Sequence, residues 1–89
     1  MLEKVKVALR VVSNDFNTEI TDLINAACGD LGIVGVPADS ATTDPLLIRA
    51  IITYCRLHFG QPDDYDRLKA SYDEQKAQLI TCTGYGLEA

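Results

Sequence analysis

Residues 44–59, DPLLIRAIITYCRLHF, constrain this chain more than any other stretch. Asp44 followed by Pro45 predicts a helix start. An aspartate at the N-cap accepts a hydrogen bond from a free backbone N–H, and proline at the first helical position gives up a donor that has no intrahelical partner. Gly60 predicts its end. Along the helix, Arg49, Thr53 and Arg56 recur at i, i+4 and i+7 and form one narrow polar strip. Almost every other position is apolar or aromatic, so the helix needs cover on nearly its whole circumference. In a chain of 89 residues, which forms one domain and buries roughly 60–65% of its unfolded surface, that cover has to come from a few short neighbours.

Three other segments offer one apolar stripe each. Residues 2–12, LEKVKVALRVV, place Leu2, Val5, Ala8, Leu9 and Val12 at helical spacing. Residues 16–31 are the clearest amphipathic stretch. Phe16, Ile20, Leu23, Ile24, Ala27, Cys28 and Leu31 share one face, and Glu19, Asp22, Asn25 and Asp30 lie opposite. Asn14, Asp15 or Asn17 is expected to cap this helix, with Gly29 loosening it and Gly32 ending it. After Pro62, Asp63, Asp64 and Asp66 crowd the start of a charged helix, where the helix dipole favours negative charge. Its apolar residues reduce to a seam of Tyr65, Leu68, Tyr72, Leu79 and Cys82, broken by Gln75. Asp63–Arg67, Lys69–Asp73 and Asp73–Lys76 have the spacing of helical ion pairs. Between the second and third helices, GIVGVPADSATT (32–43) is too rich in Gly and Pro for a regular helix but carries Ile33, Val34 and Val36. It is either a strap across the core or a contact with a neighbouring subunit.

The fold expected is all-α, a small bundle of about four helices with a long connection between the second and third. One helical domain covers residues 1–82, and a glycine-containing C-terminal tail covers 83–89. The first helix is only about three turns long, so three stripes are expected to leave some of the central helix bare. A large exposed apolar patch marks a binding surface, and apolar burial contributes roughly 25 cal/mol per Å². Association with copies of the chain or with a partner follows.

Charge and chemistry narrow the function. Net charge is −5. Residues 1–45 carry three basic and seven acidic side chains, and residues 46–89 carry five and six. No basic patch or tail is present to displace counterions from a phosphate backbone, which argues against conventional nucleic-acid binding. Cys28, Cys55 and Cys82 are odd in number, widely spaced and accompanied by a single histidine, His58. They read as small hydrophobes of a reducing compartment rather than as zinc ligands. No nucleophile stands beside His58, DDYD lacks the spaced ligands and glycine of a calcium loop, and Gly29, Gly32 and Gly35 do not form a phosphate loop. The expectation is a protein without enzymatic activity, cofactor or metal. The N-terminus has charges where a signal peptide is apolar, and the 46–59 run is too short and too charged to cross a bilayer, which takes about 20 helical residues.

The order of these features resembles the head–tail connector family of tailed bacteriophages and prophages, also called head-completion or DNA-packaging adaptor proteins. The resemblance is carried by ALRV followed by NDFNTEITDLINAA, by DPLLIRAIITYCRLHFG, by FGQPDDYDRLKASYDEQKAQL and by TGYG near the end. The third stretch looks like the outer helix of connectors from phages of Gram-positive hosts. The resemblance implies a structural protein that forms a homo-oligomeric ring under the portal protein, extends the DNA channel and docks the next stopper or tail-completion protein. DNA would pass through without sequence-specific binding, helped by an acidic body, and no membrane is implied. The location implied is the virion head–tail junction, with assembly in the host cytoplasm. Carried over by position, core and subunit contacts fall on Ile51, Ile52 and Phe59, with Tyr65, Leu68 and Tyr72 opposite, and portal contacts fall on Thr83, Gly84, Tyr85 and Leu87. A small helical partner-binding regulator of the antitoxin type is the alternative reading.

Overall fold

The computed structural model describes residues 1–60 and 62–81. Four helices follow in order: α1 (Leu2–Leu9), α2 (Asn17–Ile33), α3 (Pro45–His58) and α4 (Tyr65–Thr81). There is no strand among the described residues. The all-α bundle is therefore as the patterning implies. Helix α3 is the hub, packed against α1, α2 and α4.

Helices α1 and α2 end in the same way, on residues of different kinds. Arg10 takes a left-handed conformation (φ 61°, ψ 38°). Its N–H donates to the Val7 carbonyl at 3.1 Å, and the Val11 N–H donates to Lys6 at 3.0 Å. At the end of α2, Gly35 (φ 88°) donates to Gly32 at 3.0 Å and Val36 donates to Leu31 at 2.9 Å. Both are Schellman closures, which satisfy the last free carbonyls of a helix. In the second, the apolar contact that accompanies the motif is fully formed, because Val36 and Leu31 are both completely buried.

These closures correct two sequence readings. Helix α1 stops at Leu9 and not at residue 12, so Val12 leaves the apolar stripe and is 96% exposed. Gly29 and Gly32 lie inside α2, and it is Gly35 that ends it. The expected cap of α2 also differs. Phe16 occupies the N-cap position, with no side-chain cap. Asn14 instead uses its Oδ1 to accept from the buried Lys6 Nζ at 2.9 Å. The Phe16 ring packs edge-on against Phe59 at 5.6 Å, pinning the start of α2 to the end of α3.

The start of α3 matches its signal. Asp44 Oδ1 accepts from the Leu46 N–H at 2.9 Å, and the Asp44 N–H in turn donates to Thr42 Oγ1 at 3.1 Å. The core is continuous: Val5 from α1; Ile20, Ile24, Ala27 and Leu31 from α2; Leu47, Ala50, Ile51 and Cys55 from α3; Tyr72 and Leu79 from α4. Val36 joins it from the 34–44 connection, with Val34 and Ala38 packed alongside. At least this part of the connection is a strap over the core.

The expected bare flank of α3 is not there. Leu46, at 45% exposure, is the one large α3 hydrophobe that stays substantially in solvent. The strap adds cover that the three stripes alone do not supply, and α4 spans 17 residues alongside. The surplus apolar surface lies elsewhere, on Val7 (77% exposed), Val12 and Ile33 (83%).

Candidate association surface

The six residues expected to form core and subunit contacts occupy different depths. Ile51 is completely buried at the centre of the core, and Leu68 and Tyr72 are buried on the inner face of α4. Ile52 and Phe59 are partly buried against the core, and Tyr65 is 44% exposed. Thr83, Gly84, Tyr85 and Leu87, together with Cys82 and the whole 83–89 tail, lie outside the described residues.

Tyr72 does more than fill space. Its hydroxyl donates to Asp30 Oδ2 at 2.6 Å, and Lys76 Nζ donates to the same oxygen at 3.2 Å. The Lys76 ammonium also stands 5.1 Å from the centre of the Tyr72 ring. Tyr54 packs edge-on to Tyr72 at 5.4 Å and lies against His58 at 4.3 Å with the two rings tilted by 47°. Burial by itself would raise the Asp30 pKa. The Tyr72 and Lys76 hydrogen bonds and the Lys76 charge outweigh it, so the carboxyl sits below its ordinary range. Burial and the Asp30 carboxylate both push the Tyr72 hydroxyl up, so it stays a donor. This clamp ties α2 to α4, and sequence patterning missed it. Lys76 was expected to pair with Asp73 on its own helix, but Asp30 offers an acceptor already shared with Tyr72.

The other expected ion pairs resolve unevenly. Lys69–Asp73 forms, at 3.2 Å and in solvent. Arg67 pairs with Asp64 and not with Asp63; the Asp64 carbonyl accepts the first backbone bond of α4, from the Leu68 N–H at 2.9 Å, so the helical register starts at Asp64 and Asp63 lies outside it. That partner holds the Asp64 carboxyl below its ordinary range.

On the flank of the α3–α4 packing that carries Arg49, two grooves adjoin. One, of about 140 Å³, is lined by Leu46, Arg49, Gln75, Gln78 and Leu79. The next shares Arg49 and Gln75 with it and continues past Thr53, Arg56, Arg67 and Ser71, enclosing about 170 Å³. The narrow polar strip of α3 thus faces a second strip on α4, Arg67, Ser71 and Gln75, at i, i+4 and i+8. Three arginines, Arg49, Arg56 and Arg67, line this second groove. Among the described residues Arg49 and Arg56 have no ion-pair partner, while Arg67 has Asp64. Among the described residues the buried Gln75 Oε1 has no hydrogen-bond partner. On α2, Glu19 and Asp22 are exposed at i and i+3, with Asp15 exposed just ahead of the helix. These three acids are likewise without ion-pair partners among the described residues.

No group of three or more His, Cys, Asp or Glu side chains among the described residues is placed to hold a metal ion. No helix among them is long and apolar enough to cross a membrane. Burial, and then the nearby Cys28, push the Cys55 thiol up to about 12, and burial and Asp39 raise Cys28.

The described residues form a small helical bundle with polar grooves, charged strips and a few separate exposed hydrophobes. The family comparison is specific: the model of the phage connector protein family matches residues 1–86. The chain belongs to the phage connector family, whose general role is that of a structural connector at the head–tail junction. Comparison with curated proteins found no match, and neither did comparison with solved structures.

Proposed function

We propose that this connector acts as a homo-oligomeric ring seated under the portal protein, where it prolongs the DNA channel and docks the next stopper or tail-completion protein. The family match over residues 1–86 is the observation that carries this reading. Two physical features support it. Val7, Val12 and Ile33 are large apolar side chains left in solvent by the monomer, and contacts between protomers would remove them from water. The net charge of −5 suits a surface past which a polyanion must slide rather than stick.

In the ring, Tyr65 and the partly buried Ile52 and Phe59 are the positions of the core-and-contact set that a neighbouring protomer can reach. Thr83, Gly84, Tyr85 and Leu87 serve as the portal contact. The protein does this work without catalysis or a cofactor.

The test is direct. The purified chain is imaged by negative-stain microscopy and sized by mass photometry, alone and with the portal protein from the same genome. Closed rings, alone or on the portal, are expected. A chain that stays monomeric under both conditions overturns the reading.

A further inference from the structure

We infer that the arginine groove between α3 and α4 receives the acidic strip of α2 from a second copy of this chain. The inference rests on the ring reading above and names the contact that would build the ring.

Charge complementarity is the ground. Arg49 and Arg56 are exposed and unpaired among the described residues, and with Arg67 they line one groove beside the hydroxyls of Thr53 and Ser71. Guanidinium groups bind carboxylates through paired N–H donors, and fixed forks of this kind favour a carboxylate over a diffuse field. The rest of the chain is acidic, and Glu19 and Asp22 on α2, with Asp15 ahead of them, are among its exposed acids that have no ion-pair partner among the described residues. Arg49 and Arg56 are seven residues apart on one helix, and Asp15 and Asp22 have the same separation in sequence. Asp15 lies in the turn ahead of α2, and Glu19 and Asp22 stand about one helical turn apart on it.

A nucleic-acid phosphate backbone is the competing polyanion, and the observations disfavour it. Affinity for a duplex comes from many phosphate contacts. Here three arginines sit in a groove of about 170 Å³ on a protein of net charge −5. Groove and strip lie on different elements, so one groove–strip pair per interface makes a head-to-tail contact, the arrangement that the ring reading requires. A heterologous contact repeated around a closing rotation makes a ring.

The experiment uses two full-length variants, Arg49→Glu/Arg56→Glu and Glu19→Lys/Asp22→Lys, sized by mass photometry and sedimentation. All four positions are exposed, so circular dichroism should show unchanged folding. Each variant alone should associate at least ~30-fold more weakly than wild type, since like charges would then face each other. Mixing the two variants places Glu grooves against Lys strips and Arg grooves against acidic strips. Association in the mixture should return to within about threefold of wild type, as alternating copies. A misfolded variant could not be rescued in this way.

Wild-type rings together with undiminished assembly of both variants would overturn this contact and leave the ring reading standing. Loss of assembly without rescue on mixing also overturns it. A wild type that stays monomeric to ~1 mM, both alone and with the portal protein, removes the ring and the contact together. If wild type instead binds a 30-base-pair duplex and only that binding is lost in Arg49→Glu/Arg56→Glu, the groove is a phosphate site and the inference fails.

Discussion

Replacing Tyr72 with Phe removes one oxygen from the α2–α4 clamp and leaves the ring in place. The edge contact with Tyr54 and the Lys76 ammonium over the ring face both survive. What is lost is the 2.6 Å hydrogen bond to Asp30 Oδ2. A hydrogen bond to a charged acceptor contributes about 1.5–3 kcal/mol. Asp30 retains Lys76 and about a third of its side chain is in solvent, so a value near the lower end, about 1.5 kcal/mol, is expected. In a domain of this size that lowers Tm by roughly 6–12 °C.

Urea unfolding at pH 7, followed by far-UV circular dichroism, measures the loss. A cycle with Asp30→Asn isolates the coupling, expected at about 1 kcal/mol. The pH dependence has a definite sign. The folded pKa of Asp30 is depressed, so its contribution is fully present above the unfolded value of about 3.9 and disappears as pH falls through the folded value. The Tyr72→Phe loss should therefore be constant from pH 7 to about 5 and shrink below about 4. A variant within about 0.3 kcal/mol of wild type at pH 7, or a cycle with no coupling, would show that the clamp contributes nothing to stability.

Gly29→Ala should stabilise the fold by about 0.5–1 kcal/mol, since an added Cβ there meets no atom within 4 Å. Gly35→Ala should destabilise it by about 1–2 kcal/mol, because the φ of 88° at the α2 closure disfavours any Cβ. The same urea titration distinguishes the two signs. Asp44→Ala removes the cap on Leu46 N–H and should cost about 1 kcal/mol, whereas Asp44→Asn should retain most of it. With its thiol pushed up to about 12, native Cys55 should react with iodoacetamide at pH 8 at least ~100-fold more slowly than a free thiol. Mass spectrometry of the labelled peptide reads this, and fast labelling of Cys55 in the folded chain would contradict its burial.

What was legible in the sequence was local. The Asp44-Pro45 start and the Gly60 end of α3 depend on backbone chemistry within a few residues, and both stand in the structure. The inward face of α2 follows from spacing alone, as Ile20, Ile24, Ala27 and Leu31 show. The misses have physical causes. Arg10 closes α1 in a conformation that glycine usually signals, so nothing in LEKVKVALRVV marks the stop. Three glycines follow one another at intervals of three near the end of α2, and only the backbone decides that Gly35 is the one beyond the helix. Lys76 and Asp30 are 46 positions apart, beyond the reach of any helical spacing rule. The Arg49–Thr53–Arg56 strip was visible, but the side chains facing it on α4 depend on how the two helices cross.

The layout of α3 also bears on how the chain is made. The chain is made from the N-terminus, so the hub helix emerges ahead of Leu68, Tyr72 and Leu79, the buried residues of α4. Until Leu79 has emerged, Leu47 and Ile51 lack part of their cover. Apolar surface left bare in this way promotes aggregation. A premature stop within α4 would release a product that carries this stickiness permanently.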